Sequence, residues 1–346
     1  EQGKPVIGFG AGEPDFPTPE YVVKDVQVAA EDTSNHKYSP VAGLTILKEE
    51  IVRTSKLYSE INVQQENILV SNGGKHAILT TFMSILNPGD EVLIPSPYWT
   101  TYPEAVKISG GNPIIVDTEF DDDFKVNTDQ LDALKTSKTK ILVWVSPSNP
   151  TGVVYTKEEA EQIYNWAFEN NVWILSDELY EHLVYEGMTS PSPAQYDTEL
   201  NNTIIINGVA KAYSMTGWRV GWIIANTDVI DMAKKIQSHA TSNVSNISQI
   251  AAYSALKNGL NETKIMKESF NRRRLYAIEE FSNIENVNLI KSTGAFYLFP
   301  DVSYYSSNGV INGVHNSIDF CNWLLDEYFI AFVPGEVFGK NGFLRC

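Results

Sequence analysis

Lys211 and Arg219 lie eight residues apart in a segment of small residues, NGVAKAYSMTGWRVGW, that follows an apolar, β-branched run at 203–206. That run predicts a buried strand. A lysine packed among apolar groups loses hydration, so its pKa falls and the neutral amine becomes a nucleophile toward carbonyls. An arginine binds phosphate or carboxylate with its planar fork of donors. This pairing is the layout of a Schiff-base lysine beside a phosphate anchor, as in a pyridoxal phosphate (PLP) site. The alternative is a surface lysine and arginine in a glycine-rich loop.

A second candidate anion site is the stretch SNGGK at 71–75, between a predicted strand and a predicted helix. Gly73 and Gly74 let backbone N–H groups approach an anion, and the dipole of the following helix favours negative charge. Lys75 adds a cation. The spacing GxxxxGK[ST] is absent, so this is not a Walker A loop, and an ordinary β–α turn is the alternative.

Three further candidates follow predicted strands. Asp177 comes just after an apolar strand, where open α/β sheets bind ligands, and its carboxylate can pair with a protonated ring nitrogen. Trp99 ends the stretch PSPYW and can stack on a flat ring, although aromatic residues more often belong to the core. Asn149 lies in SPSNPTG, where two X-Pro bonds predict a fixed turn that can aim it inward.

Strands alternate with helices from residue 67 to 222, which predicts an α/β fold with a mostly parallel sheet covered by helices on both faces. Residues 291–300 are expected to begin a second sheet. Charged residues beside the candidate site and on a long helix at 262–282 are interpreted as solvated, namely Glu178, Glu181, Arg272, Arg273 and Arg274.

Composition limits the function further. The 346 residues carry a net charge of −17, which argues against nucleic acid or an anionic membrane as the main partner. No apolar run approaches the roughly 18 residues of a membrane span. The two cysteines, Cys321 and Cys346, are far apart, so we expect free thiols in a reducing, cytoplasmic compartment. The five histidines have no metal-ligand spacing, so no metal site is predicted.

The order of these motifs is more specific than any one of them. Along the chain come GAGEPDF, SNGGK, PSPYW, SPSNPTG, SDELY, AKAYSMTGWRVGW, STGAFYLFP and a late FLR. Over essentially its whole length the chain resembles the fold-type I PLP-dependent aminotransferases, specifically the class I group that includes prokaryotic-type aspartate and prephenate aminotransferases.

The resemblance implies roles for residues around the cofactor ring. Lys211 is similar to the Schiff-base lysine that shuttles a proton between Cα and C4′. Asp177 is similar to the carboxylate that keeps the pyridine nitrogen protonated, which makes the ring an electron sink. Asn149 and Tyr180 match residues hydrogen-bonded to the ring 3-oxygen, and Trp99 matches the aromatic residue stacked on the ring.

The resemblance also implies a phosphate cradle made of Gly73, Gly74, Lys75 and Arg219. Tyr38 resembles the tyrosine that reaches the phosphate of the neighbouring subunit. This implies a homodimer with shared active sites.

For the substrate, Gly12 and Arg345 look like the pair that holds the α-carboxylate, the arginine bidentately. Lys75 stands where this group has a lysine implicated in the distal carboxylate, and Trp99 and Asn149 also match substrate contacts. Gly208 stands where some members have a serine on the phosphate, so that contact is expected to be missing.

The expected division is a large PLP-binding domain at 16–265 and a smaller α+β domain formed by 1–15 and 266–346. Members normally begin with a helix before GAGEPDF and continue beyond the FLR motif, so segments at both ends are expected to be missing here.

The resemblance favours transamination between an amino acid and a 2-oxo acid, with aspartate and 2-oxoglutarate as the expected pair. Prephenate or an aromatic amino acid is the alternative substrate. A PLP-dependent C–S lyase and a non-catalytic ligand-sensing module are the alternative classes.

Overall fold

The structure is a computed structural model that describes residues 3–346. Its strands are β1 Ile7–Gly8, β2 Ile68–Ser71, β3 Glu91–Ser96, β4 Asn112–Asp117, β5 Thr139–Val145, β6 Trp173–Asp177, β7 Thr203–Gly208, β8 Gly221–Ile224, β9 Ile330–Ala331, β10 Val333–Pro334 and β11 Leu344–Arg345. Its α-helices are α1 Glu20–Glu31, α2 Thr45–Ser59, α3 Gly74–Ile85, α4 Thr101–Ile108, α5 Thr128–Leu134, α6 Lys157–Glu169, α7 Thr227–Ala240, α8 Asn246–Lys257, α9 Asn261–Ser282, α10 Ser303–Ser307 and α11 Ser317–Tyr328.

Seven strands form the central sheet in the order β2-β8-β7-β6-β5-β3-β4. β8 runs antiparallel to both of its neighbours, and the remaining paired strands run parallel. The predicted mostly parallel α/β fold is therefore confirmed. Because six strands point the same way, their carboxyl ends meet at one edge of the sheet, where ligands bind in such folds.

Both faces of the sheet are buried, as parallel sheets require. In β7, Ile204 and Ile206 pack with helices α3, α4 and α7 on one face, while Ile205 packs with α2 and α8 on the other. β5 alternates in the same way and sends Trp144 to α6. This period of two explains why near-continuous apolar runs in the sequence form strands here.

Capping residues set the ends of several helices. The predicted capping box of α6 is present, with Thr156 Oγ1 accepting from the Glu159 N–H and the Glu159 carboxylate accepting from the Thr156 N–H. α7 and α8 are separate helices because Asn226 and Ser245 each cap a new N-terminus.

The second sheet differs from the prediction. Residues 291–300 contain no strand, so the expectation that they begin a second sheet is wrong. The chain instead forms two small sheets, a parallel pair β1–β9 and an antiparallel pair β10–β11. The backbone of residues 293–298 makes isolated hydrogen bonds to other segments and does not form a strand ladder. Tyr185 N–H donates to Thr293 O, and Leu298 exchanges two bonds with Cys346.

None of the helices within residues 3–346 has both the length and the hydropathy needed to cross a membrane. In the same part of the chain, no group of three or more His, Cys, Asp or Glu side chains is arranged to hold a metal ion. Cys321 and Cys346 are both free thiols.

Candidate active site

The predicted site residues converge on the carboxyl edge of the central sheet. Gly73, Trp99, Asn149, Asp177 and Lys211 end or follow β2, β3, β5, β6 and β7 in turn. Arg219 comes just before β8, and because β8 is antiparallel its start lies at the same edge. The sheet topology therefore brings together residues that are up to 146 positions apart in sequence, from Gly73 to Arg219.

A cavity of about 190 Å³ lies at this edge. Seven predicted residues line it, namely Gly12, Trp99, Asn149, Asp177, Tyr180, Lys211 and Arg345, together with Tyr102, Val145, Leu179 and Tyr297. A larger cavity of about 250 Å³, lined by Tyr58, Glu181 and Lys264 among others, contains none of the predicted residues. The candidate active site is therefore the smaller cavity.

Asp177 ends β6 and is only 4% exposed. The Tyr102 hydroxyl donates to its Oδ2 at 2.7 Å, and the Leu179 N–H donates to its Oδ1 at 3.3 Å. Burial raises the pKa of this carboxyl to about 6, against the smaller opposing effects of these two hydrogen bonds. A buried carboxylate of this kind gains strongly from a cationic N–H partner in the cavity.

Lys211 is largely buried, and its ammonium donates a hydrogen bond to the carbonyl oxygen of Gly12. Its Nζ lies 5.6 Å from the ring centroids of both Tyr180 and Phe296. Burial, assisted by the nearby Arg345 charge, lowers the pKa of the Lys211 amine to about 8. A substantial fraction of the amine is then neutral near pH 8, as nucleophilic attack on a carbonyl requires.

The predicted anion cradle is closely packed. Gly73 precedes α3 with φ of 85°, and a Cβ built on it would lie 2.7 Å from Nη2 of Arg219. A Cβ on Gly221 would lie 2.8 Å from the backbone nitrogen of Gly74. These glycines let the guanidinium and the N-terminus of a twelve-residue helix come together, which is a binding arrangement for phosphate.

Gly208 lies opposite Gly221 in the β7–β8 pair. A Cβ on Gly208 would approach the Gly221 Cα and the Val220 carbonyl oxygen at 2.9 Å each. The chain has no room for a serine here, which accounts for the departure noted in the sequence.

Arg345 is 8% exposed, although no carboxylate among residues 3–346 forms an ion pair with it. Its Nη1 donates to Asn149 Oδ1 at 3.1 Å and its Nη2 to the Gly10 carbonyl at 3.0 Å. Its Nε has no hydrogen-bond partner among residues 3–346. The guanidinium lies between the rings of Tyr297 and Phe338, at 4.7 and 5.0 Å. A buried, partly unsatisfied guanidinium that lines a cavity suits a carboxylate ligand.

Comparisons with known proteins agree with this geometry. The sequence profile described as aminotransferase class I and II matches residues 4–346. An aspartate aminotransferase of Streptomyces avermitilis is 46% identical over 99% of this chain and 85% of its own length. A probable aspartate/prephenate aminotransferase of Aquifex aeolicus is 39% identical over 99% of this chain and 86% of its own. The solved aspartate aminotransferase of Rhizobium meliloti superposes with a TM-score of 0.93 at 35% identity, over 99% of this chain and 87% of that one.

The chain belongs to the class I and II aminotransferase family. It is a PLP-dependent enzyme that moves an amino group from an amino acid to a 2-oxo acid.

The residues of this aminotransferase fit PLP. Asp177 is a buried carboxylate that suits a protonated ring nitrogen, and Lys211 is a desolvated amine that suits an aldehyde. The packing of Gly73 against Arg219 leaves backbone and guanidinium donors for a phosphate.

Five predicted residues lie outside the cavity lining: the cradle residues Gly73, Gly74 and Arg219 described above, and also Lys75 and Tyr38. Lys75 is exposed, and its Nζ lies 5.2 Å from the ring centroid of Trp99, which does line the cavity. Tyr38 is 91% exposed and does not reach the cavity of its own chain. The structure therefore brings Lys75 to the border of the aminotransferase site and leaves Tyr38 on the surface.

Two lining tyrosines were missed by the sequence analysis. Tyr102 is the second residue of α4 and lies three positions after Trp99, so its closeness in sequence to a predicted site residue was a weak signal for it. Tyr297 hydrogen-bonds to Tyr180 with 2.7 Å between the hydroxyl oxygens, and no local sequence pattern predicts that contact.

The interpretation of two charged residues as solvated is wrong. Glu178 is 3% exposed and accepts hydrogen bonds from the Ser176 and Ser192 hydroxyls. Arg274 is buried, bonds to the Ser292 carbonyl and pairs with Glu186 at 2.7 Å. Neighbours distant in sequence bury both side chains, which a local charge pattern does not reveal.

Proposed function

We propose that this aminotransferase uses aspartate as amino donor and 2-oxoglutarate as acceptor. One observation carries the proposal: two cations border the cavity that holds Lys211. Arg345 lines it, and Lys75 lies over Trp99, which also lines it. Two cations suit the two carboxylates of a dicarboxylic amino acid. The names of the relatives, aspartate aminotransferase among them, support the same substrate class.

The proposed roles follow from position. When bound, PLP supplies an aldehyde that condenses with amines and a ring that accepts the electron pair left at Cα. Lys211 Nζ would hold the cofactor covalently and, once the substrate amine has displaced it, would take the proton from substrate Cα and deliver it to cofactor C4′. Asp177 holds the proton on the ring nitrogen, and Tyr180 and Asn149 would hold the 3-oxygen.

Binding roles complete the assignment. Trp99 would stack on the ring, and Gly73, Gly74 and Arg219 would hold the phosphate. Lys75 would serve both the phosphate and the distal carboxylate of the substrate. Arg345, with the Gly12 loop beside it, orients the α-carboxylate so that Cα faces Lys211. Fixing the substrate in this way replaces an encounter in solution with an oriented one.

An amino-acid panel tests the substrate. Mixing holoenzyme with single amino acids should convert the cofactor from its aldehyde to its amine absorbance, fastest with aspartate. Lys75→Gln should lower kcat/KM for aspartate more than for phenylalanine. Fastest conversion by phenylalanine, or by the amino acid that corresponds to prephenate, would favour the alternative substrate. Release of pyruvate and ammonia from cystathionine without an acceptor would favour a C–S lyase.

We also propose a homodimer in which Tyr38 reaches the partner's phosphate. Its almost complete exposure in the single chain supports this role. Lys211→Ala and Tyr38→Ala should each be nearly inactive. Mixing and refolding the two should restore about a quarter of wild-type activity, because half of the dimers are mixed and each carries one intact site. Complete inactivity of the mixture would contradict shared sites.

The division into domains at 16–265 and at 1–15 with 266–346 is likewise proposed. A separate apolar cluster around Val302, Phe320 and Leu344 supports a small domain with its own core. The proposed boundary lies inside α9, which would join the two domains. Two calorimetric transitions would support the division, and one would argue against it.

The two free thiols support a reducing, cytoplasmic location, which cell fractionation tests.

A further inference from the structure

We propose that Tyr297 is a positioning residue that links the carboxylate anchor Arg345 to Tyr180. When a carboxylate binds Arg345, Tyr297 changes the hydrogen bond that Tyr180 offers to the cavity. The inference rests on the proposed role of Arg345 and deepens it, because it gives substrate binding an effect on Tyr180, another residue that lines the cavity.

The backbone around Tyr297 joins the parts of the site. The N–H of Ala295 donates to the Leu183 carbonyl at 2.8 Å, which ties this segment to the chain that follows Tyr180. Leu298 and Cys346 exchange two 3.0 Å hydrogen bonds, which tie it to the strand that carries Arg345. The segment also holds the loop of Asn149, because Thr293 and Gly294 N–H groups donate to the Gly152 carbonyl.

The Tyr297 side chain touches both ends of this arrangement. Its hydroxyl lies 2.7 Å from that of Tyr180, and its ring centroid lies 4.7 Å from Arg345 Cζ. Both phenols are buried, so each hydroxyl gains from a defined partner. Tyr297 is thus in direct contact with the proposed carboxylate anchor and with a residue proposed to contact the cofactor.

The phenol pair can exist in two arrangements. If Tyr297 donates, the Tyr180 proton is free to donate into the cavity. If Tyr180 donates, its proton is committed to Tyr297 and it offers the cavity only lone pairs. The bond therefore acts as a two-position element that either end can bias.

Arg345 supplies the bias. Its guanidinium lies over the Tyr297 ring and not over the Tyr180 ring, so its positive charge favours Tyr297 as the donor. Arg345 lowers the pKa of both phenols, although burial raises both overall. A bound carboxylate neutralises the guanidinium and removes the advantage. The pair then shifts toward donation by Tyr180, which withdraws its proton from the cavity.

Fluorine NMR of holoenzyme with fluorotyrosine at position 180 tests this link. The probe is maleate, a dicarboxylate without an amino group, and calorimetry gives its Kd independently. In the otherwise wild-type enzyme the fluorine resonance should move as maleate saturates the site. In Tyr297→Phe the ring beneath Arg345 remains, so maleate should bind within about threefold of the wild-type Kd, while the resonance shift is largely lost. With aspartate, kcat should fall in this variant while KM changes little.

Tyr185→Phe is the matched control. Tyr185 is also buried and donates to the Ala295 carbonyl in the same segment, but it does not line the cavity. Its replacement should leave the maleate-induced shift at the wild-type value.

Three results would overturn the proposal. The first is an undiminished shift in Tyr297→Phe, and the second is loss of maleate binding in that variant, which would make Tyr297 part of the binding site. If circular dichroism shows that Tyr297→Phe does not fold, tetrafluorotyrosine at position 297 replaces it, because this residue keeps the ring and hydroxyl but has a more acidic phenol. The third overturning result is a maleate-induced shift at position 180 that is the same with tetrafluorotyrosine as with tyrosine at position 297. The NMR result does not depend on turnover, so absence of aspartate transamination would refute the proposed substrate and leave this link to be judged separately.

Discussion

The Tyr102 hydroxyl donates a 2.7 Å hydrogen bond to Oδ2 of Asp177, and it is the only side-chain donor to that carboxylate among residues 3–346. Tyr102 lies on α4 and Asp177 ends β6, so the bond joins two elements at the carboxyl edge of the sheet. It favours the ionised carboxylate against the effect of burial and fixes its direction. Tyr102 therefore positions the group proposed to hold the ring-nitrogen proton.

Tyr102→Phe should weaken that function without removing the ring from the core. A hydrogen bond to a charged group contributes about 1.5–3 kcal/mol, so kcat/KM should fall roughly tenfold to a hundredfold, and PLP should bind less tightly. Tyr196→Phe is a suitable control, because its hydroxyl donates to the Lys157 carbonyl away from the cavity. Wild-type kinetics and PLP affinity in Tyr102→Phe would contradict the assigned role.

Capture of PLP by apoenzyme should depend on pH through Lys211. Burial lowers the pKa of this amine from 10.5 to about 8, and the neutral amine is the reactive form. The rate of covalent capture should therefore rise with pH and level off above about pH 8. Stopped-flow absorbance measures this rate, and Lys211→Arg should show no covalent capture. A rate that still climbs steeply at pH 10 would mean that the lysine is not desolvated.

Arg345→Lys should raise the KM for aspartate more than it lowers kcat. A lysine cannot reproduce the planar fork that bonds Asn149, the Gly10 carbonyl and a carboxylate together. Because a hydrogen bond to a charged group contributes about 1.5–3 kcal/mol, KM should rise roughly tenfold to a hundredfold. Arg272→Lys, on the exposed face of α9, is the matched control and should change neither constant. An unchanged KM in Arg345→Lys would argue that the carboxylate binds elsewhere.

Glu178 should make the folded protein less stable as pH rises. Burial, followed by the nearby Glu181 charge, raises its pKa from 4.5 to about 8. The folded state thus binds this proton more tightly than the unfolded state. The resulting stabilisation is complete below about pH 4.5 and is lost as pH rises toward 8.

Glu178→Gln keeps a group that can accept from Ser176 but removes the titration. The difference in unfolding free energy between the two proteins should grow in favour of the variant from pH 5 to pH 8, by at most about 1.4 kcal/mol per pH unit. Urea unfolding at several pH values measures it. Parallel pH profiles for the two proteins would show that Glu178 does not titrate in this range.

Much of the site could be predicted from sequence because its residues follow strands. Asp177, Asn149 and Lys211 each come after an apolar run, and a parallel sheet places the ends of such runs along one edge. The α/β fold and most helix bounds follow from the same local periodicity and from caps such as Thr156.

What could not be predicted depends on contacts between distant segments. Tyr297 meets Tyr180 across 117 positions, and Arg274 is buried by Glu186 and Ser292. The apolar stretch 291–300 has the composition of a strand, yet its backbone groups bond to three different segments. Local sequence patterns carry no information about such partners.

Borohydride reduction of the holoenzyme, followed by proteolysis and peptide mapping, identifies the amine that binds PLP. Reduction fixes the bond between PLP and the amine that holds it. We expect one phosphopyridoxyl label, on Lys211, and no label in Lys211→Ala. A label on any other residue, or no label on the wild-type protein, would contradict the assignment of Lys211 as the Schiff-base lysine.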